Sequence, residues 1–135
     1  MSAEAFFDSN VLLYLLSSDA AKADRVEALL AGGGIVSVQV LNELANVCTR
    51  KFGMSWPETD VLLAGVRATC RVEHLTEATF DTGRRLAERY QFSVYDAMIV
   101  AAALLAGANT LYSEDLHDGL RVENQLVVRN PFFIA

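Results

Sequence analysis

Residues 93–107, SVYDAMIVAAALLAG, constrain the fold more than any other stretch of the chain. Past the serine this segment is apolar on nearly every side, carries one charge at Asp96 and stops at Gly107. A helix of that kind has no face to give to water, so it has to lie buried against a second layer. Its neighbours supply that layer. Residues 4–8 (EAFFD), Ile35 and Val36, residues 71–75, 109–112 and 125–128 read as short strands, and helical patterns separate the first four. Strands alternating with helices imply a mostly parallel sheet with helices on both faces, an α/β architecture.

The intervening helices announce their ends. Val11 to Leu16 is an apolar run that follows directly on Asp8 and Asn10. Asp19 is an N-cap for a helix in which Ala23, Val26, Leu29 and Leu30 keep helical spacing up to Gly32-Gly33-Gly34. Ser37 caps a helix whose stripe is Val38, Leu41, Ala45, Cys48 and Phe52, with Glu43 just off it. Ser55-Trp56-Pro57-Glu58 is a capping box with proline in the first turn of a helix running through Val61, Leu62 and Val66. Thr76 caps another, predicted to turn Phe80, Gly83, Ala87 and Tyr90 inward and to pair Asp81 with Arg85 and Arg84 with Glu88 on its outer face.

The 135 residues, 53% of them hydrophobic, suit one domain over residues 1–135, with no repeat, linker or low-complexity segment. The longest strongly apolar stretch, residues 97–106, falls well short of the roughly 20 residues a membrane span needs. The start, Met1-Ser2-Ala3-Glu4, lacks a basic signal-peptide region. A cytoplasmic protein is the expectation. Cys48 and Cys70 have neither a CxxC spacing nor a histidine pair beside them, and read as core thiols in a reducing compartment. His74 and His117 stand apart from each other and from any metal-binding pattern.

Four acids are placed where chemistry can collect. In open α/β sheets ligands gather at the carboxyl ends of the strands. Asp8 and Asp115 follow strands, while Glu43 and Asp96 ride on helices, so the topology can bring all four to one edge. Carboxylates gathered together repel one another unless a cation sits among them. A hard divalent ion such as Mg2+ or Mn2+ meets that need and suits phosphodiester hydrolysis, with bound water as nucleophile. Each acid also has a purely structural explanation. Asp8 suits an N-cap, Asp96 suits half of a capping box with Ser93, and Glu43 suits a solvated helix position. Asp115 shares the polar turn SEDLHDG with Glu114 and Asp118, either of which can take the fourth place. The net charge of −6 opposes binding of a polyanion, which leaves Arg50 and Lys51, about two helical turns beyond Glu43, as the best local offset. Arg84 and Arg85 already have helix partners in this reading, and Arg89 lies on the same helix.

Taken together, FFDSNVLLYLL, VSVQVLNELANV, SVYDAMIVAAALLAGANTLYSEDL and VVRNPF resemble a PIN-domain ribonuclease of the VapC toxin type over nearly the whole chain. The resemblance implies a single PIN-like domain and an Mg2+ or Mn2+ site on Asp8, Glu43, Asp96 and Asp115. Asn10 and Ser113 match the family's flanking polar positions. No acidic position is lost to an amide or alanine, which implies an active member. It further implies an endoribonuclease toxin leaving 3′-hydroxyl and 5′-phosphate ends, a homodimer, and a cognate antitoxin protein. Two other readings compete. One is a phosphatase with Asp8 as nucleophile, disfavoured because Asn10 stands where such enzymes carry a second aspartate. The other is a catalytically silent module that only binds a protein.

Overall fold

The structure, a computed structural model, describes residues 4–133. Residues 1–3, which open the start discussed above, and 134–135 lie outside the described residues. Among the described residues six strands form one sheet in the order β3-β2-β1-β4-β6-β5. They are β1 (Phe6–Phe7), β2 (Gly34–Ser37), β3 (Cys70–Glu73), β4 (Thr110–Tyr112), β5 (Arg121–Val122) and β6 (Leu126–Arg129). All neighbours are parallel except β5 and β6, which form an antiparallel hairpin at the edge. Phe6 stands opposite Ile35 on one side and Leu111 on the other, so β1 is the buried centre.

Helices α1 (Ser9–Leu12) and α2 (Ala20–Leu30) connect β1 to β2, and α3 (Val38–Asn46) and α4 (Trp56–Thr69) connect β2 to β3. The chain then returns through α5 (Glu77–Tyr90) and α6 (Val94–Leu105) to β4, on the far side of β1. Parallel crossovers are right-handed as a rule, so crossovers running in opposite directions place these two sets of helices on opposite faces of the sheet. The strand order therefore reverses between β1 and β4, which opens a crevice at their carboxyl ends.

The apolar helix behaves as its composition requires. In α6, Ala97, Ile99, Val100, Ala101, Ala102 and Ala103 are buried, and Gly107 ends it with φ +81°. The caps also form. Asp19, Ser37 and Ser93 accept from backbone N–H groups of the first turns of α2, α3 and α6, and Ser55 and Glu58 complete a capping box on α4. Cys48 and Cys70 are free and buried, and both thiols are pushed up by burial.

Several local expectations are corrected. In α5 the inward stripe is Thr79, Gly83 and Leu86, while Phe80 is exposed. Glycine is needed at position 83 because α5 lies close to α6 there, where a Cβ would come within 2.6 Å of the Met98 sulfur. On the outer side Arg84 pairs with Glu88 as expected, but Arg85 leaves Asp81 for Glu123. In α3 the buried line is Val40 and Leu44, continuing to Cys48, and the segment Val47–Lys51 widens into a π-helical turn that leaves Phe52 in solvent. Val61 of α4 is likewise exposed. The third strand starts at Cys70 rather than Arg71, and the two-residue β5 had no counterpart in the sequence reading.

Candidate metal centre

Asp8 is fixed by the sheet before its side chain does anything. Its backbone N–H donates to the Tyr112 carbonyl at 2.9 Å, extending the β1–β4 ladder by one residue and delivering the carboxylate to the crevice. The residue is 5% exposed. One oxygen, Oδ1, accepts from the Ser9 N–H at 2.7 Å, which makes Asp8 the N-cap of α1. The other, Oδ2, accepts from Ser113 Oγ at 2.9 Å and Asn10 Nδ2 at 3.3 Å. The structural role and the candidate chemical role thus coexist on one side chain.

These donors are all neutral. Burial pushes the Asp8 carboxyl up to about 6, and the charges of Glu43 and Asp115 push the same way, against the hydrogen bonds from Ser113 and Ser9. Among the described residues no ion pair involves Asp8, Glu43, Asp96 or Asp115.

Asn10 and Ser113 do more than flank. Asn10 Oδ1 accepts from the Glu114 N–H at 3.2 Å, and Ser113 Oγ also accepts from the Asp115 N–H at 3.2 Å. The loop after β4 is thereby stitched to the loop after β1. The three acids of that loop separate by their partners. Glu114 faces Tyr14, whose phenol it holds above the ordinary range. Asp118 accepts from the Asn130 N–H at 2.7 Å and so ties down the C-terminal segment. Asp115 is exposed and contributes its charge to Asp8.

Glu43, half-buried on α3, is held at both oxygens. Ser9 Oγ donates to Oε1 at 2.9 Å, and Gln39 Nε2 donates to Oε2 at 3.2 Å. The same Gln39 nitrogen donates to the Tyr95 carbonyl at 3.1 Å, which brings the first turn of α6 beside α3. Asp96 is the next residue. Its N–H donates to Ser93 Oγ at 3.1 Å, but the reciprocal arm of a capping box is absent, and among the described residues its half-buried carboxylate has no hydrogen-bond donor. Ser9 and Gln39 escaped the sequence reading. The available signals were the adjacency of Ser9 to Asp8 and the one-turn spacing from Gln39 to Glu43.

As placed, no three acidic, histidine or cysteine side chains among the described residues converge closely enough to clasp an ion directly. The donor set still fits a hard divalent cation, because Mg2+ typically takes one or two protein carboxylates and keeps several waters. A buried carboxylate with raised proton affinity, two acidic neighbours and no cationic partner also leaves charge for such an ion to neutralise. Arg50 and Lys51 lie exposed on the π-helical turn beyond Glu43 and form no ion pair among the described residues. Beside the acids, a groove of about 730 Å³ runs from Asn10 and Glu114 over Leu13, Tyr14, Phe52 and Met54.

Known proteins share this frame. The PIN domain family profile matches residues 5–117. A toxin–antitoxin complex from Klebsiella pneumoniae superimposes with a TM-score of 0.74 at 21% identity, covering 96% of this chain and 99% of that one. The sarcin–ricin loop cleaving toxin VapC20 of Mycobacterium tuberculosis gives 0.65 at 24% identity, over 82% of this chain and 89% of its own. VapBC2 of Rickettsia felis, bound to a DNA fragment from its promoter, gives 0.67 at 16% identity, with 93% and 96% covered. No curated protein sequence matches. The family match spans most of the chain and the solved toxins share its topology: the chain belongs to the PIN domain family and has the fold of VapC-type toxins.

Proposed function

We propose that this chain is a divalent-metal-dependent endoribonuclease, the toxin of a toxin–antitoxin pair, acting through Asp8, Glu43, Asp96 and Asp115. The observation that carries the reading is Asp8: a buried carboxylate held, among the described residues, only by neutral donors, its proton affinity raised by burial and by Glu43 and Asp115. A stability role alone does not call for acidic neighbours around an unpaired buried charge, because such a charge is costly.

In this reading Asp8 and Asp96 are the principal ligands of Mg2+ or Mn2+. Glu43 and Asp115 complete the site or orient the attacking water. When bound, the ion lowers the pKa of its water and polarises the phosphoryl oxygens. Asn10 and Ser113 hold the Asp8 carboxylate in one orientation and fix the loop that carries Asp115. Ser9 and Gln39 hold Glu43 without adding a positive charge that would compete with the ion. Arg50 and Lys51 meet the RNA backbone.

The fold shared with toxin–antitoxin structures supports a cognate antitoxin as protein partner, and the apolar groove beside the acids suits a protein segment. A homodimer and a cytoplasmic location belong to the same reading. Among the described residues no helix is long and apolar enough to cross a membrane. The test is RNA cleavage by the purified protein in Mg2+ or Mn2+, beside Asp8→Asn and beside an EDTA control. Cleavage that survives either change overturns the proposal.

A further inference from the structure

Gln39 is half-buried near the start of α3, and its amide nitrogen is engaged by two acceptors. Its Nε2 donates to Glu43 Oε2 at 3.2 Å, one helical turn away, and to the Tyr95 carbonyl at 3.1 Å, across 56 positions of sequence. Both partners are acceptors, so the orientation of the amide is fixed: the nitrogen, not the oxygen, faces the site. The second bond falls on the residue immediately before Asp96. Glu43 is on α3 and Asp96 is on α6, helices of crossovers that run in opposite directions along the sheet. Among the described residues no other side chain bonds to both the Glu43 carboxylate and the first turn of α6.

We infer that Gln39 is a positioning residue that sets the spacing between Glu43 and Asp96 and thereby the metal affinity of the site, an inference that rests on the metal-centre reading above. The chemistry of the group fits the task. A lysine or arginine reaching the same oxygen would neutralise the carboxylate that has to face the cation. A neutral amide leaves that charge intact and occupies one lone pair of Oε2, and Ser9 does the same on Oε1. Groups that orient a ligand in this way commonly change metal affinity or activity by about 10–100-fold when removed.

The test is calorimetric Mn2+ titration of the full chain and of Gln39→Met, which keeps the volume and helix-forming tendency of glutamine but donates nothing. The same substitution is then made on a Glu43→Gln background, with thermal unfolding in EDTA as a check on folding. Weakening of Mn2+ affinity by about 10–100-fold in Gln39→Met, shrinking to less than about twofold when Glu43 is already Gln, is the expected result; it would show that Gln39 acts through Glu43. An unchanged affinity in Gln39→Met overturns the inference alone, as does an equal loss on both backgrounds. A protein that binds no Mn2+ at all, or an affinity indifferent to Glu43→Gln, overturns the inference together with the reading of the site. A lower melting temperature with unchanged Mn2+ affinity assigns Gln39 to stability only and overturns it as well.

Discussion

Two carboxylates in this molecule receive opposite treatment. Asp8, at the carboxyl end of β1, is buried, bonded among the described residues only to neutral donors and pushed up to about 6. Glu123, in the turn between β5 and β6 that precedes the amino end of β6, is gripped by Arg85 and Arg89 and bonded through its N–H to the Tyr90 hydroxyl. Its carboxyl is held below the usual range by Arg85 first and then Arg89. Glu123 and Asn124 both take positive φ, 53° and 55°, with Gln125 N–H bonded to the Val122 carbonyl, the geometry of a type I′ hairpin turn. Asparagine accepts that conformation easily and glutamate does not, so the arginine pair holds in place a residue the turn alone would not choose. At Glu123, where the carboxylate serves the fold, the chain supplies the counter-charge. Where it leaves one without, at Asp8, the carboxyl binds its proton more tightly, and in the proposed function a divalent cation supplies the counter-charge.

The sharpest way to break this contrast is Asp8→Asn. It keeps the size of the side chain and loses the charge, and the expected effect is a fall in metal-dependent RNA cleavage by more than about 100-fold, beyond what orienting residues usually cost. Cleavage rates in Mn2+ measure it, and a change of only a few-fold would place Asp8 with the structural acids. For Glu123→Gln the same assay should read unchanged rates and unchanged Mn2+ affinity.

Second in size is the effect of pH on the metal-free protein. Asp8 binds a proton more tightly when folded, at about 6 against 3.8 for the ordinary side chain. Its contribution to stability is therefore fully present below about pH 4 and lost as pH rises through about 6, by on the order of 3 kcal/mol at 1.36 kcal/mol per pKa unit. Urea unfolding in EDTA at pH 4 and pH 7 should show this loss in the wild type and not in Asp8→Asn. Glu123 carries the opposite sign. Its folded-state value is lowered, so its contribution is present above the ordinary glutamate range and fades as the pH falls through the folded value. Parallel pH curves for wild type and Asp8→Asn would contradict the assignment.

Smaller again is the separation of two acids in one loop. Asp118→Asn weakens the acceptor for the Asn130 N–H and should cost about 1 kcal/mol of stability with Mn2+ affinity intact. Asp115→Asn should do the reverse, lowering Mn2+ affinity while leaving unfolding in EDTA nearly unchanged. If the two variants exchange these effects, Asp118 is the fourth acid.

Much of the frame was legible because it depends on local pattern. The apolar run of α6, the caps at Ser37, Ser55 and Ser93, and the glycine stop at Gly107 each act through neighbours within a turn of helix. What failed depends on packing between distant segments. Phe80 looked like a core residue, but Thr79 and Leu86 take the buried positions of α5 beside the expected Gly83, where α5 comes close to α6. Arg85 had a partner at the right helical spacing and took a stronger one in a turn that sequence reading did not contain. At the candidate site the order of the acids was readable, since Asp8 and Asp115 follow strands. Their support was not, because Ser9 meets Glu43 across 34 positions and Gln39 meets Tyr95 across 56. Nothing in the spacing of DSNV or VQVLNE specifies those encounters.

The most direct test of the contrast between the two carboxylates is the number of protons released when Mn2+ binds near pH 6, read by titration calorimetry in buffers of different ionisation enthalpy. A ligand that is half protonated must release that proton to the buffer when the metal binds. The wild type should release about half a proton per chain from Asp8 near pH 6 and almost none at pH 8, the Glu123→Gln protein should match it, and Asp8→Asn should lose the release. Binding with no proton release near pH 6, or a release that persists in Asp8→Asn, would contradict the claim that Asp8 is the carboxylate left waiting for a cation.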